Sequence, residues 1–245
     1  MWRLWYDHPQ TSHGFPSLWC LVTVSRDSHA TLAYVTPFCV YIASIGMERL
    51  VPLDLWWRFG LRCLLTLAAI LLFSRRTISL ATGRPIASAV IGMLVFAIWV
   101  GPDQFWNIRH HWLFENPLTG AAASSIPAEL RRSAAFLGLR LAGAVLLVPV
   151  VEEVFWRGWL MRWLISPRIE TVPLGRYSPL AFWVTAGLFA AEHGPYWEVG
   201  LLAGIVYNWW MVRTKSLGDC ILAHSVTNLA LGVFVIARAR WQYWL

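Results

Sequence analysis

Three short stretches carry ionisable or amide side chains at helical spacing inside otherwise apolar sequence: EEVFWR at 152–157, FAAEH at 189–193 and HSVTN at 224–228. In the first, Glu153 and Arg157 are four residues apart with the acid nearer the N-terminus, the favoured sense for an ion pair on one helix, so Arg157 can neutralise Glu153. Glu152 points about 100° away around the helix and lacks that partner. Phe189 and His193 repeat the four-residue interval just before a Gly194-Pro195 break. His224 and Asn228 put an imidazole and an amide on one helical face. A carboxylate beside an imidazole can deprotonate water, and an imidazole with an amide N–H can stabilise a tetrahedral oxyanion. Together such groups hydrolyse an amide without a covalent intermediate. Ser225 and Cys220 fall on other sides of the helix from His224, so neither reads as a nucleophile with a base. Glu192, next to His193, is left outside the catalytic set, as a supporting partner or an interfacial acid.

The elements that must position these groups are membrane-spanning helices. Hydrophobic residues make up 58% of the 245 and charged residues only 13%, about half the usual soluble share. Apolar runs of roughly 16 to 25 residues, separated by short polar or Pro- and Gly-bearing connections, have the length an α-helix needs to cross a hydrocarbon layer. Short alternating segments of the barrel type are lacking. The reading is an all-α, polytopic helical bundle with seven spans, or eight if a further piece lies in residues 1–30. The spans fall at about 31–47, 57–73, 86–102, 134–165, 179–194, 197–212 and 217–237. The fourth is about 48 Å long at 1.5 Å per residue, so it must tilt, kink at Pro149 or project from the bilayer. An ionisable group inside such a span costs about 2.5–3.5 kcal/mol on insertion scales, which makes each one a functional suspect. Arg140, in the same span, is expected to snorkel or to pair with an acid that the sequence does not identify.

Residues 1–30 read as an arm of undefined structure, without the pattern of a removable signal peptide. Residues 31–245 form one membrane-embedded unit, with the chemistry in about 134–232. The net charge of +7 fits basic cytoplasmic loops facing anionic lipid, not nucleic-acid binding. Arginines after spans two, four and six favour a cytoplasmic N-terminus, although Arg109, Arg131, Arg132, Arg238 and Arg240 oppose it. Cys20, Cys39, Cys63 and Cys220 are too scattered for a zinc cage or a disulfide framework. Of the 17 tryptophans, many near span ends, including Trp99, Trp197 and Trp244 as well as those in YNWWM, read as interfacial lipid anchors.

The three motifs, in this order on three helices, resemble the CPBP family of intramembrane proteases, which process CAAX prenyl proteins and bacteriocins. Its pattern is E-E-x-x-x-R, then F-x-x-x-H, then H-x-x-x-N or H-x-x-x-D. GMLVFAIWVG, VPVVEEVFWRGWLMRWL, LAGIVYNWWMVRT and CILAHSVTNLALG are similar to the exosortase-associated members of that family. The resemblance implies a glutamic-type endopeptidase of a bacterial inner membrane acting on a membrane-delivered peptide or protein tail, with an exosortase sorting system as a candidate partner. It assigns Glu152 as general base with His193, and His224 with Asn228 as the oxyanion site. Glu153 and Arg157 would fix the helix and its electrostatics. No metal or other cofactor is implied; zinc on two histidines and a glutamate is the less favoured variant, since no H-E-x-x-H occurs. The alternatives are a proton-coupled transporter, which would show inverted repeats that are not seen here, and a non-catalytic membrane scaffold or immunity protein.

Overall fold

The computed structural model describes residues 26–47, 50, 52–106, 111–124 and 126–244. Most of the expected N-terminal arm, together with Cys20, Arg109 and His110, lies outside the described residues. The main helices are α1 (Arg26–Met47), α2 (Leu55–Ser74), α3 (Pro85–Trp106), α4 (Ala134–Trp163), α5 (Pro179–Ala191), α6 (Trp197–Thr214) and α7 (Leu217–Arg238). Among the described residues no strand forms, and the expected all-helical architecture is found.

Each of the seven expected spans corresponds to a helix, but only α1, α2, α3, α4 and α7 are long and apolar enough to cross a membrane. The expected count of seven is therefore not reached by length and composition. α5 has 13 residues and so extends about 20 Å, short of a hydrocarbon core of about 30 Å. α6 carries Glu198, Asn208 and Arg213 among its apolar residues. Leu64, Leu72, Ile86, Phe105 and Trp183 are among the large apolar side chains on the outer surface. In water such a belt would be an aggregation hazard; in lipid it is the solvated face.

α7 is the most deeply packed span, with α3, α4 and α6 against it. The α3–α7 crossing is close because Gly92 has no side chain: a Cβ there would overlap the Ala223 carbonyl and come within 2.8 Å of Val226 Cβ. That approach lets the Thr227 hydroxyl donate to the Gly92 carbonyl (2.8 Å) while accepting from Tyr207 of α6 (2.7 Å). At the end of the same crossing, buried Asp219 accepts from the backbone N–H groups of Gly83 (3.1 Å) and Arg84 (2.9 Å) and from Ser88 Oγ (3.0 Å). The start of α3 is thus pinned to α7 by a carboxylate, as an N-cap would pin it.

α4 is not regular. Two π-helical segments, Gly143–Leu147 and Val154–Leu160, flank a six-residue α-helical piece, Val148–Glu153. Pro149 has no N–H to complete a π-type bond to Ala144, and that carbonyl instead accepts from Asn228 Nδ2 of α7 at 2.8 Å. The expected disturbance at Pro149 therefore takes the form of a π segment with a neighbouring helix supplying the missing donor.

The crossing makes a direct prediction. Gly92→Ala should lower the thermal unfolding midpoint in detergent, at about 1–3 kcal/mol by overpacking. Gly187→Ala, where an added Cβ meets nothing within 4 Å, should leave it unchanged or raised.

Candidate active site

A cavity of about 160 Å3 lies among α3, α4, α5, α6 and α7 and is lined by Glu152, His193, His224 and Asn228, together with Trp99 and Tyr207. Four separate sequence positions, brought by three helices, thus share one enclosed space. Glu152 and His224 are buried, at 8% and 5% exposure, whereas His193 and Asn228 are half-buried.

The polar contacts fix proton positions. His193 Nδ1 lies 2.6 Å from the Phe189 carbonyl. A carbonyl only accepts, so Nδ1 carries the proton and Nε2 of the neutral ring holds a lone pair. His224 Nδ1 lies 2.9 Å from Glu153 Oε1 and donates to it, leaving Nε2 4.0 Å from Glu152 Oε2. That last gap is too long for a hydrogen bond. Glu152 Oε2 has no hydrogen-bond partner although it is buried. Tyr207 stacks on the His224 ring with centroids 5.1 Å apart, and Trp99 meets the His193 ring edge-on at 5.2 Å.

Glu153 and Arg157 form the expected ion pair, at 3.2 Å and fully buried on both sides. The pair is part of a larger network. Arg157 Nε donates to Asn208 Oδ1 at 2.9 Å, Arg157 Nη2 donates to the Gly204 carbonyl at 3.4 Å, and Asn208 Nδ2 donates to the Phe182 carbonyl at 2.8 Å. The Arg157 guanidinium also sits 4.4 Å above the Phe189 ring. Glu153 therefore accepts from two side chains, its own helix's arginine and the His224 imidazole, rather than from Arg157 alone.

Several groups in and around the site were not legible from sequence. Glu192 brings a carboxylate oxygen into a group with Glu152 and His193 whose donor atoms lie within 4.8 Å of one another. α5 ends at Ala191, so Glu192 and His193 leave the helical wheel that would separate them by 100°. Trp156 Nε1 holds Glu192 Oε1 at 3.1 Å. Tyr207 and Asn208, expected as lipid anchors within YNWWM, are instead buried at 1% and 0% exposure. Trp99 lines the cavity and Trp244 is buried, so neither belongs to an interfacial belt.

The network predicts a stability effect separable from chemistry. Arg157→Ala leaves Glu153 without its guanidinium in a buried site, a loss of about 3–5 kcal/mol. Arg157→Lys keeps the charge but not the forked contacts, and its unfolding midpoint should fall between those of wild type and alanine. Equal midpoints for all three proteins would contradict the network.

Residues 134–230 match the family model described as "Rce1-like: Type II CAAX prenyl endopeptidase Rce1-like". Among curated proteins and among solved structures, none matches the chain. The matched segment begins at the first residue of α4 and contains Glu152, Glu153, Arg157, His193, His224 and Asn228. With its apolar spans, the chain is a multi-pass membrane protein, and the segment that carries its candidate active site is similar to the type II CAAX prenyl endopeptidase family over residues 134–230, about two fifths of its length.

Proposed function

We propose that the protein is a glutamic-type intramembrane endopeptidase in which Glu152 and His193 activate a water molecule. The observation that carries this reading is Glu152 itself, a buried carboxylate with an oxygen lacking a hydrogen-bond partner, in a cavity it shares with two imidazoles and an amide.

In the proposed step the Glu152 carboxylate takes a proton from water while the oxygen attacks the scissile carbonyl. The His193 lone pair at Nε2 accepts from the same water and orients it. The new oxyanion takes hydrogen bonds from His224 Nε2–H and from the amide hydrogen of Asn228 that does not serve Ala144. Glu153 supports this by accepting from His224 Nδ1, which orients the ring with Nε2 toward the cavity; the step takes that ring with a proton on both nitrogens. Collapse of the tetrahedral intermediate breaks the C–N bond, and the proton on Glu152 passes to the leaving amine. The products are a carboxylic acid and an amine.

The substrate is a membrane-delivered peptide or the tail of a membrane protein, and the location is a bacterial inner membrane. Sorting tails of an exosortase system are the substrates suggested by the similarity of the flanking segments. This reading does not require a prenyl group on the substrate.

A second reading rests on the Glu152, Glu192 and His193 group. Two carboxylates and an imidazole suit zinc or another divalent ion with an open position for water. Such an ion would supply Lewis acidity to that water. The metal-free reading remains the proposal, because His224 and Asn228, outside this donor set, already account for the oxyanion.

Purified protein in detergent should cleave peptides from a fluorogenic library. Glu152→Gln, nearly the same size, should lower kcat/KM by about a thousandfold or more with an unchanged unfolding midpoint. Wild-type turnover by this variant would remove Glu152 from the role of base. Cleavage should persist with a chelator; its loss, reversed by added zinc, would establish the metal reading instead.

A further inference from the structure

The connection between α3 and α4 carries no ionisable residue from Asn116 through Ala128. A single antiparallel bridge joins Asn116 to Gly120, and each backbone N–H of that turn is satisfied inside it. The Asn116 N–H donates to Thr119 Oγ1 (3.2 Å), those of Leu118 and Thr119 donate to Asn116 Oδ1 (2.9 and 3.2 Å), and that of Gly120 donates to the Asn116 carbonyl (2.8 Å). Pro117 has no N–H to satisfy. The Thr119 hydroxyl in turn donates to the Phe114 carbonyl at 2.8 Å. At the tip of this self-contained turn Leu118 is 98% exposed, and Trp112 ahead of it is exposed as well. An apolar tip of this kind is unfavourable in water, whereas just below lipid headgroups both the tip and the closed N–H groups fit their surroundings.

The neighbours of the turn give its depth. α5 extends about 20 Å from Pro179, and the apolar part of the returning α6, between Glu198 and Arg213, is about as long. α3, with 22 residues, crosses fully. The residues joining α5 to α6 therefore lie about 10 Å short of the face where α3 ends, given a hydrocarbon core about 30 Å thick. The α3–α4 connection reaches down to them. Trp197 Nε1 donates to the Leu113 carbonyl at 3.2 Å, and the Phe114 and Trp197 rings stack with centroids 6.2 Å apart. Gly194 takes a φ of 53°, and a Cβ there would come within 2.9 Å of the Thr119 carbonyl. His193 immediately precedes this glycine, so the connection bears on the backbone that presents one of the cavity's imidazoles.

We infer that residues 112–120 form a re-entrant strap that seats Leu118 in the acyl-chain region just below the headgroups and thereby holds the Gly194 turn that carries His193. The occupant of the exposed tip is the phospholipid bilayer itself. Irregular backbone is tolerated at that depth where protein satisfies its polar groups, and here the turn closes its own N–H groups while its other side lies against the α5–α6 connection. Phe105 and Trp106, at the end of α3 from which the connection departs, already belong to the exposed apolar surface that faces lipid. The strap fills the depth that the short α5 leaves unspanned. Leu118 acts through the turn, as a positioning residue for His193. That role in catalysis rests on the proposed peptidase reading, whereas the depth of the strap does not.

The test measures depth and turnover separately. Full-length protein with its four cysteines replaced by alanine receives Leu118→Cys, is labelled there with a nitrobenzoxadiazole fluorophore and is placed in phosphatidylcholine nanodiscs. Thr82→Cys, in the exposed connection between α2 and α3, serves as the aqueous reference. The label at 118 should emit at shorter wavelength than the reference, be quenched by lipids bearing a nitroxide near the top of the acyl chain and ignore aqueous iodide. Quenching by iodide with none by the nitroxide lipids would place the tip in water and overturn the inference. Protection from both quenchers would mean that another protein copy covers the tip, and would overturn it too. In the protein with native cysteines, Leu118→Asp should lower kcat on the fluorogenic peptides by about tenfold or more with KM little changed. Leu118→Phe, which keeps an apolar tip, should turn over like wild type. A wild-type kcat for Leu118→Asp would break the link to His193 and overturn the inference. Acyl-chain depth at 118 with no cleavage by any of these proteins would sink the peptidase reading and leave the strap standing.

Discussion

Glu153 is a fully buried carboxylate whose Oε1 receives both Arg157 from its own helix and His224 from α7. Through Arg157 the same network reaches Asn208 and the Gly204 carbonyl on α6, and through Asn208 it reaches Phe182 on α5. Four helices are therefore referenced to one charge. An isolated buried ion is worth several kcal/mol of instability, while a well-paired one can be near neutral. The network's value lies less in net stability than in having one low-energy arrangement, and that arrangement turns the His224 ring so that Nε2 faces the cavity. Glu152, one residue away, is on a different face and remains available to water.

The rest of the bundle holds that arrangement in register. Gly92 allows α3 to approach α7 closely enough for Thr227 to link Gly92 and Tyr207, and Tyr207 in turn backs the His224 ring. The π segments of α4 break its 3.6-residue regularity on both sides of Glu152 and Glu153. Segments of this kind are rare and occur often at functional sites. Here one of them offers the Ala144 carbonyl to Asn228, which fixes the amide at the edge of the cavity. The cavity's polar groups and the irregular backbone are thus parts of one arrangement.

The candidate site residues stand out in the sequence because charge in an apolar run is conspicuous. Glu152, Glu153, Arg157, His193 and His224 each interrupt a span, and four-residue spacing gives their faces. The helices themselves were legible from run length. What could not be read were contacts made by residues with an ordinary reason to be present. Tyr207, Asn208, Trp99 and Trp244 carry aromatic or amide groups near span ends, where a membrane protein places interfacial anchors, and only packing shows that they face inward. Glu192 was noted as a supporting partner or an interfacial acid, and the choice between the two could not be made from sequence because wheel geometry stops applying at the end of α5. The count of seven spans is not confirmed, because α5 and α6 are helical and largely apolar, yet by length and composition α5 falls short and α6 carries charged residues.

The central claim is that the Glu152 carboxylate takes the proton of the attacking water. Chemical rescue tests it most directly: cleavage of a fluorogenic peptide by Glu152→Ala is followed with and without added formate, a carboxylate small enough for the space the truncation opens. The account predicts that the variant is inactive alone and regains part of its activity as formate rises, whereas Asn228→Ala gains nothing. Cleavage by Glu152→Ala at the wild-type rate without formate would contradict it.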